Sequence, residues 1–288
     1  MARNSRASRE ASIPQSIPKG TEVLHVKNVS KRFGAVEALV DVDLTLRAGE
    51  VHALVGGNGA GKSTLVNILC GYMKPDAGEV HIYGKRREFH SPKDARNMGI
   101  GTVHQQLVLV EPMNVVANLF LGRELLLPPP WKWFGVMDKK GMQQKAVEEI
   151  QRLRINIPFL GEQVRKLSGG QRQGVVCARA IMGDSPIMLM DEPTAALGVK
   201  EGGEVIRLIN SIREGGTAVM LISHNIKEVF TMAQRITVLR LGKVVAEGIE
   251  ISRLSEEEVV GLITGAIESI DDYEANKESR QTSGYGYA

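Results

Sequence analysis

Cysteine is scarce in this chain of 288 residues, which holds only Cys70 and Cys177. Neither has a CxxC neighbour or metal-ligand spacing, so a disulfide framework and a cysteine-built metal site are excluded as organising devices. Both fall in segments that read as helices, and buried free thiols in a reducing cytosol are expected. Long apolar runs are missing as well. Nothing approaches the roughly 18–20 residues needed to cross a bilayer, so the chain is not expected to span a membrane, which leaves open whether it sits on one. Residues 1–20 carry Arg3, Arg6, Arg9 and Lys19 without an apolar core, which argues against a signal peptide. A strong charge of either sign is absent: 36 basic and 33 acidic residues leave +3. That is too little to argue for a track along nucleic acid.

What is present is ordinary in bulk, with 43% hydrophobic and 24% charged residues and length enough for a large α/β domain. Residues 1–20, rich in Ser, Arg and Pro, read as a disordered lead-in, and 268–288 as a disordered tail. The folded domain is then 21–267. Alternation at 22–26 and 42–46, and a hairpin-like stretch at 80–83 before Gly84, predict an antiparallel sheet with one solvated face. Continuous apolar runs at 51–55, 100–103, 187–190, 217–222 and 236–239 predict parallel strands buried on both faces. Val205, Leu208, Ile209 and Ile212 fall at helical spacing before the stop Gly215-Gly216. Residues 106–183 break this rhythm and read as a mostly helical insertion. Within it Asp138 caps a helix with the stripe Met142, Ala146, Ile150 and Leu153. The aromatic loop at 128–134 is expected to pack inside the insertion rather than meet a partner. A last helix is expected around Leu254, Val259, Val260, Leu262 and Ile263.

Two motifs carry chemistry directly. Gly56-Gly57-Asn58-Gly59-Ala60-Gly61-Lys62-Ser63-Thr64 follows an apolar strand and opens a helix, the context a phosphate loop requires. Its backbone N–H groups close around phosphates, and the helix start adds partial positive charge. Lys62 is expected to reach the β- and γ-phosphates and Ser63 to ligate Mg²⁺. Asp191-Glu192 ends the apolar run at 187–190, where side chains point into the ligand crevice of a parallel sheet. Asp191 is expected to hold Mg²⁺ through water, and Glu192 to act as general base on the attacking water.

A third motif, Leu167-Ser168-Gly169-Gly170-Gln171, lies about a hundred residues after the phosphate loop. Its small residues before a helix allow a second phosphate nest. With both elements the chain resembles the ATP-binding cassette family over roughly 21–250. That resemblance implies an α/β P-loop NTPase fold with a doubly wound core sheet, an antiparallel β-subdomain and a helical subdomain. It implies ATP and Mg²⁺ as ligands, and a homodimer in which each copy's 168–171 element faces the other's phosphate loop. Gln105 matches the glutamine that senses Mg²⁺ and water, His224 the switch histidine on the γ-phosphate, and Phe33 the aromatic stacked on adenine. The stretches at 57–65, 170–175 and 192–198 resemble ATPase subunits of bacterial monosaccharide importers of the ribose, xylose and fructose kind, with fructose the first choice. Such a subunit sits peripherally on the cytoplasmic face of the inner membrane, bound to permease subunits that a periplasmic sugar-binding protein feeds. Two positions depart from the family pattern. Gly57 stands where an acidic residue or proline is frequent, and Gly198 where the D-loop aspartate is frequent, which puts cross-subunit coupling in doubt. The rivals are the ATPase of an exporter, a cassette ATPase acting on nucleic acid or ribosomes, and a regulatory cassette protein with feeble hydrolysis.

Overall fold

The computed structural model describes residues 17–103, 109–182, 185–195 and 197–270. In chain order the strands are β1 (Glu22–Phe33), β2 (Val36–Arg47), β3 (Val51–Val55), β4 (Ala77–Ile82), β5 (Lys85–Arg87), β6 (Ile100–Val103), β7 (Ile187–Asp191), β8 (Ala218–Ile222), β9 (Arg235–Arg240) and β10 (Lys243–Glu250). The helices are α1 (Lys62–Leu69), α2 (Pro92–Asn97), α3 (Val115–Phe120), α4 (Lys139–Arg152), α5 (Gly169–Ile181), α6 (Val199–Glu214), α7 (Ile226–Met232) and α8 (Glu256–Thr264).

Strands β9, β3, β8, β7 and β6 lie side by side in parallel, and β10 adds an antiparallel edge to β9. Every residue of β3 and β8 is buried, which is why these strands read as unbroken apolar runs. Alternate side chains serve two cores. Val51, Ala53 and Val55 face the core that includes α5, α6 and the helical insertion, whereas Leu54 faces α1 and the second sheet. That second sheet has the order β2-β1-β4-β5 and is antiparallel throughout. Its buried Leu24, Leu44 and Leu46 close over Leu65, Ile68 and Leu69 of α1. Each such leucine contributes roughly 1.5–3 kcal/mol by leaving water. The β4–β5 hairpin turns through Tyr83 and Gly84, both at positive φ.

The insertion builds its own core from α3, α4 and α5. Asp138 Oδ1 accepts the Gly141 N–H at 2.9 Å, capping α4, and Met142, Ala146, Ile150 and Leu153 are buried as one stripe. Buried Asn118 organises the chain ahead of α3, its amide bonding to Val110 and to the carbonyls of Met113 and Asn114. The aromatic loop differs from expectation. Trp131, Trp133 and Phe134 are 57%, 79% and 77% exposed. The core between α3 and α4 is filled by Val115, Leu119, Phe120 and the α4 stripe, while a short 3-10 turn at Trp131–Phe134 carries the three rings outward.

At the chain's two ends, Gly20 donates to Ala48 at 2.8 Å, and Arg240 Nη1 and Nη2 donate to the carbonyls of Ile267 and Glu268. Residues 1–16 and 271–288 lie outside the described residues.

Both cysteines are buried. Burial pushes the Cys70 thiol up to about 11, against a weak contact with Thr102, and the Cys177 thiol up to about 12. A thiol near 11 is about one part in a thousand thiolate at pH 8. Neither cysteine is therefore expected to react with a thiol-specific reagent at pH 8 until denaturant unfolds the chain. Rapid labelling of the folded protein would contradict this packing.

Candidate functional site

The phosphate loop begins where β3 leaves the core. Gly56 has φ 156° and Gly61 φ 107°. A Cβ at Gly56 would lie 2.2 Å from the Leu239 carbonyl oxygen, and one at Gly61 2.5 Å from that of Ala38. The loop is thus squeezed between β9 and β2, and only glycine satisfies both the dihedral and the space. A Cβ at Gly57 would meet nothing within 4 Å, so the departure there from the family pattern is sterically neutral. Asn58 and Gly59 are exposed while Ala60 is buried, and the Ala60 carbonyl accepts the Gly242 N–H at 3.0 Å.

Helix α1 starts at Lys62 from a Gly61 cap that has no side chain to satisfy the first N–H groups. Those donors and the helix dipole face outward beside Ser63 and Thr64, an arrangement suited to an anion. Lys62 Nζ donates to the carbonyls of Gly56 at 2.7 Å and Gly57 at 3.0 Å. Burial lowers its pKa, while the charges of Glu192 and Asp191 oppose that shift. The lysine therefore lies in the field of both carboxylates.

Those carboxylates arrive from β7, where Asp191 pairs with Ile222 of β8. The next residue, Glu192, adopts φ 52° and donates its N–H to the Ile222 carbonyl at 2.9 Å. For a non-glycine residue that backbone costs on the order of 1–2 kcal/mol. The Glu192 side chain is mostly buried, and its Oε1 lies 2.7 Å from Nδ1 of the exposed His224. Because β8 sits between β3 and β7 in parallel, Lys62, Asp191, Glu192 and His224 gather at the carboxyl ends of these central strands.

Phe33 ends β1 and is 48% exposed, with Lys31 Nζ 5.7 Å from its ring centroid. It is an open ring on the hairpin whose Ala38 and Leu39 abut Gly61, not a core residue. Gln105 lies outside the described residues.

The Ser168–Gln171 element is built as a helix start. Ser168 Oγ accepts the Gln171 N–H at 3.2 Å, and the Gln171 side chain returns a bond to the Ser168 N–H at 3.0 Å. Gln171 Nε2 also donates to the Asn156 carbonyl at 2.7 Å. Gly169 and Gly170 are buried, and a Cβ on either would strike Leu197 or Glu204 at 2.7 Å. Among the described residues no hydrogen bond joins this element to the phosphate loop.

Two supports escaped sequence reasoning. Glu201 receives the Gly169 N–H and the Gly198 N–H on its two oxygens, each at 3.2 Å, and so ties the 168–171 element to the turn before α6. No sequence signal pointed to it, because Gly198 has no side chain to form a capping box with Glu201 and Gly169 is distant along the chain. Thr194 donates its hydroxyl to the Glu228 carboxylate, fastening the segment after Glu192 to α7.

This architecture is that of a P-loop nucleoside triphosphatase. Residues 39–195 match the family model described as ABC transporter, and the chain belongs to that family. It is 44% identical over 223 residues to the fructose import ATP-binding protein of Rhizobium meliloti, covering 77% of this chain and 86% of the relative. It is 43% identical over 225 residues to the xylose/arabinose import ATP-binding protein of Sulfolobus acidocaldarius, covering 78% and 87%. Among solved structures, a nucleotide-free ATP-binding cassette from an ABC transporter superposes with TM-score 0.71 at 25% identity, covering 88% and 99%. A dimeric post-hydrolysis cassette bound to ADP and Pi gives 0.61 at 31%, covering 77% and 96%.

Replacing Glu201 by Ala leaves two N–H groups without their acceptor. The expected cost is about 1–2 kcal/mol of stability, read by circular dichroism in denaturant. An unchanged unfolding midpoint would show that the bridge is not formed.

Proposed function

We propose that this protein is the ATP-hydrolysing subunit of a monosaccharide importer, working as a homodimer on membrane-spanning permease subunits. The observation that carries the chemistry is the Glu192–His224 pair at 2.7 Å, one residue beyond Asp191 and within the field of Lys62. Sugar import is supported by the names of the relatives, both import ATP-binding proteins for monosaccharides and both matched over most of their length. Fructose stands first among the sugars. No helix among the described residues is long and apolar enough to cross a membrane, and the proposed place of the subunit is the cytoplasmic face of the inner membrane. A periplasmic sugar-binding protein would deliver the solute to the permease.

In this reading the 56–64 amides and Lys62 take the β- and γ-phosphates of ATP, and Phe33 offers its ring face to adenine. Ser63 and Asp191 are the residues that would hold Mg²⁺, which neutralises charge on the phosphates when bound. One hydroxyl and one carboxylate suit an ion that keeps water and phosphate oxygens in its shell; among the described residues no group of three or more His, Cys, Asp or Glu competes for it. Glu192 accepts a proton from the water that attacks the γ-phosphorus, and the bond to the β–γ bridging oxygen breaks to leave ADP and phosphate. In the tautomer that carries its ring proton on Nδ1, His224 donates to Glu192 at 2.7 Å and keeps that carboxylate aimed at the water.

The N-terminus of α5 supplies the second half of the site from the other copy. Support comes from the dimeric relative, and from Val199, 98% exposed beside the Gly198 turn. ATP then acts as a removable cross-link whose hydrolysis resets the pair and, through it, the permease.

Glu192→Gln is expected to bind ATP with near-normal affinity while turnover falls about 10²–10⁴-fold. Normal turnover in that variant would remove Glu192 as the base. Lys62→Ala is expected to weaken ATP binding at least about tenfold, measured by fluorescent-nucleotide titration. Unaltered affinity would contradict the role given to the loop.

A further inference from the structure

The rings that the helical insertion leaves outside form a made structure rather than a slack loop. Leu127 N–H donates to the Val136 carbonyl at 2.9 Å and Asp138 N–H to that of Leu125 at 2.7 Å, with Leu126 and Met137 bridged between them. On this short ribbon the 3-10 turn Trp131–Phe134 is closed by Trp133 N–H to Pro130 at 3.1 Å and by Gly135 at φ 68°. The backbone is pinned while its largest side chains stand in water. Leu126, Val136 and Met137 extend the exposed apolar surface around them.

Charge accompanies the aromatics. Lys132 lies within the turn, and Lys139, Lys140 and Lys145 follow on the exposed start of α4. The acids nearest in sequence, Asp138 and Glu124, accept the Gly141 and Gly122 N–H groups and keep their charge, but are outnumbered by the lysines. Exposed Trp and Phe rings with exposed lysines close in sequence have the chemistry of a bilayer interface. Indole rings settle at headgroup depth, and lysine stems lie on the apolar surface with their ammonium groups toward lipid phosphates. A protein partner would have to offer a shaped pocket for three separate rings, whereas a lipid surface deforms around them.

We propose that the Trp131–Phe134 turn is a membrane-docking element that inserts its rings into an anionic phospholipid surface, with Lys132, Lys139 and Lys140 on the headgroups. It would hold the subunit against the bilayer independently of any permease contact, and it does not rest on the sugar-import reading.

The chain contains two tryptophans, Trp131 and Trp133, so selectively excited tryptophan emission reports on this turn alone. The full-length protein is titrated with vesicles of phosphatidylglycerol and phosphatidylcholine, and with pure phosphatidylcholine. The expected result is a blue shift and co-flotation with the anionic vesicles, several-fold weaker without phosphatidylglycerol or at high salt. Brominated phosphatidylglycerol should quench the emission. The double variant Trp133→Ala/Phe134→Ala keeps Trp131 as reporter and should partition about tenfold more weakly while retaining wild-type basal ATP hydrolysis. Absence of both shift and quenching on anionic vesicles at low salt overturns the proposal. So does equal partitioning of the double variant, or a shift that needs permease subunits and occurs in lipid-free detergent, which would assign the turn to a protein partner. If the double variant does not fold, quenching of the wild-type chain decides alone.

Discussion

The site depends on a steric constraint: the loop leaving β3 must pass between the Leu239 and Ala38 carbonyls with no room for a Cβ at Gly56 or Gly61. That passage is where the two sheets meet. It lets α1 begin across the short loop 56–61 from a buried strand, so the helix start lies beyond the carboxyl end of β3. It also brings the β1–β2 hairpin, with Phe33 at its turn, to the flank of the loop. A larger side chain at either glycine would part the sheets before it altered any chemistry.

Around that fixed loop the reacting side is held by tension and straps. Glu192 keeps a left-handed backbone because its N–H is anchored to Ile222, its carboxylate engages His224, and the next turn is tied through Thr194 to Glu228. Strain stored this way needs over-determination, and here three separate bonds provide it. Glu201 plays the matching part on the other side of the chain, joining the start of α5 to the start of α6. The two halves are each braced by hydrogen bonds, and they lie on different elements of one copy.

Much of this was legible in the amino-acid order because burial on both faces leaves no polar interruption. The runs that became β3, β6, β7, β8 and β9 stood out, as did the α4 stripe with Asp138 at its head. Edge strands were harder. Lys243–Glu250 and Lys85–Arg87 mix charge and apolar residues because one side meets water, so β10 and β5 gave no clean period. Glu201 carried no signal, since Gly198 has no side chain to pair with it in a capping box and its other partner is 32 residues away. The outward turn of Trp131, Trp133 and Phe134 was invisible for a different reason: composition says that rings are present, not that neighbouring aliphatics have already filled the core.

The account's central claim is that one ATP is clasped by two copies, each supplying a different half. The mass of the Glu192→Gln protein by light scattering, with Mg²⁺ and ATP, tests it most directly. The prediction is a doubling from the 31.4 kDa single chain when ATP is present and not when ADP replaces it. A protein that binds ATP at full occupancy yet keeps the single-chain mass would contradict the claim.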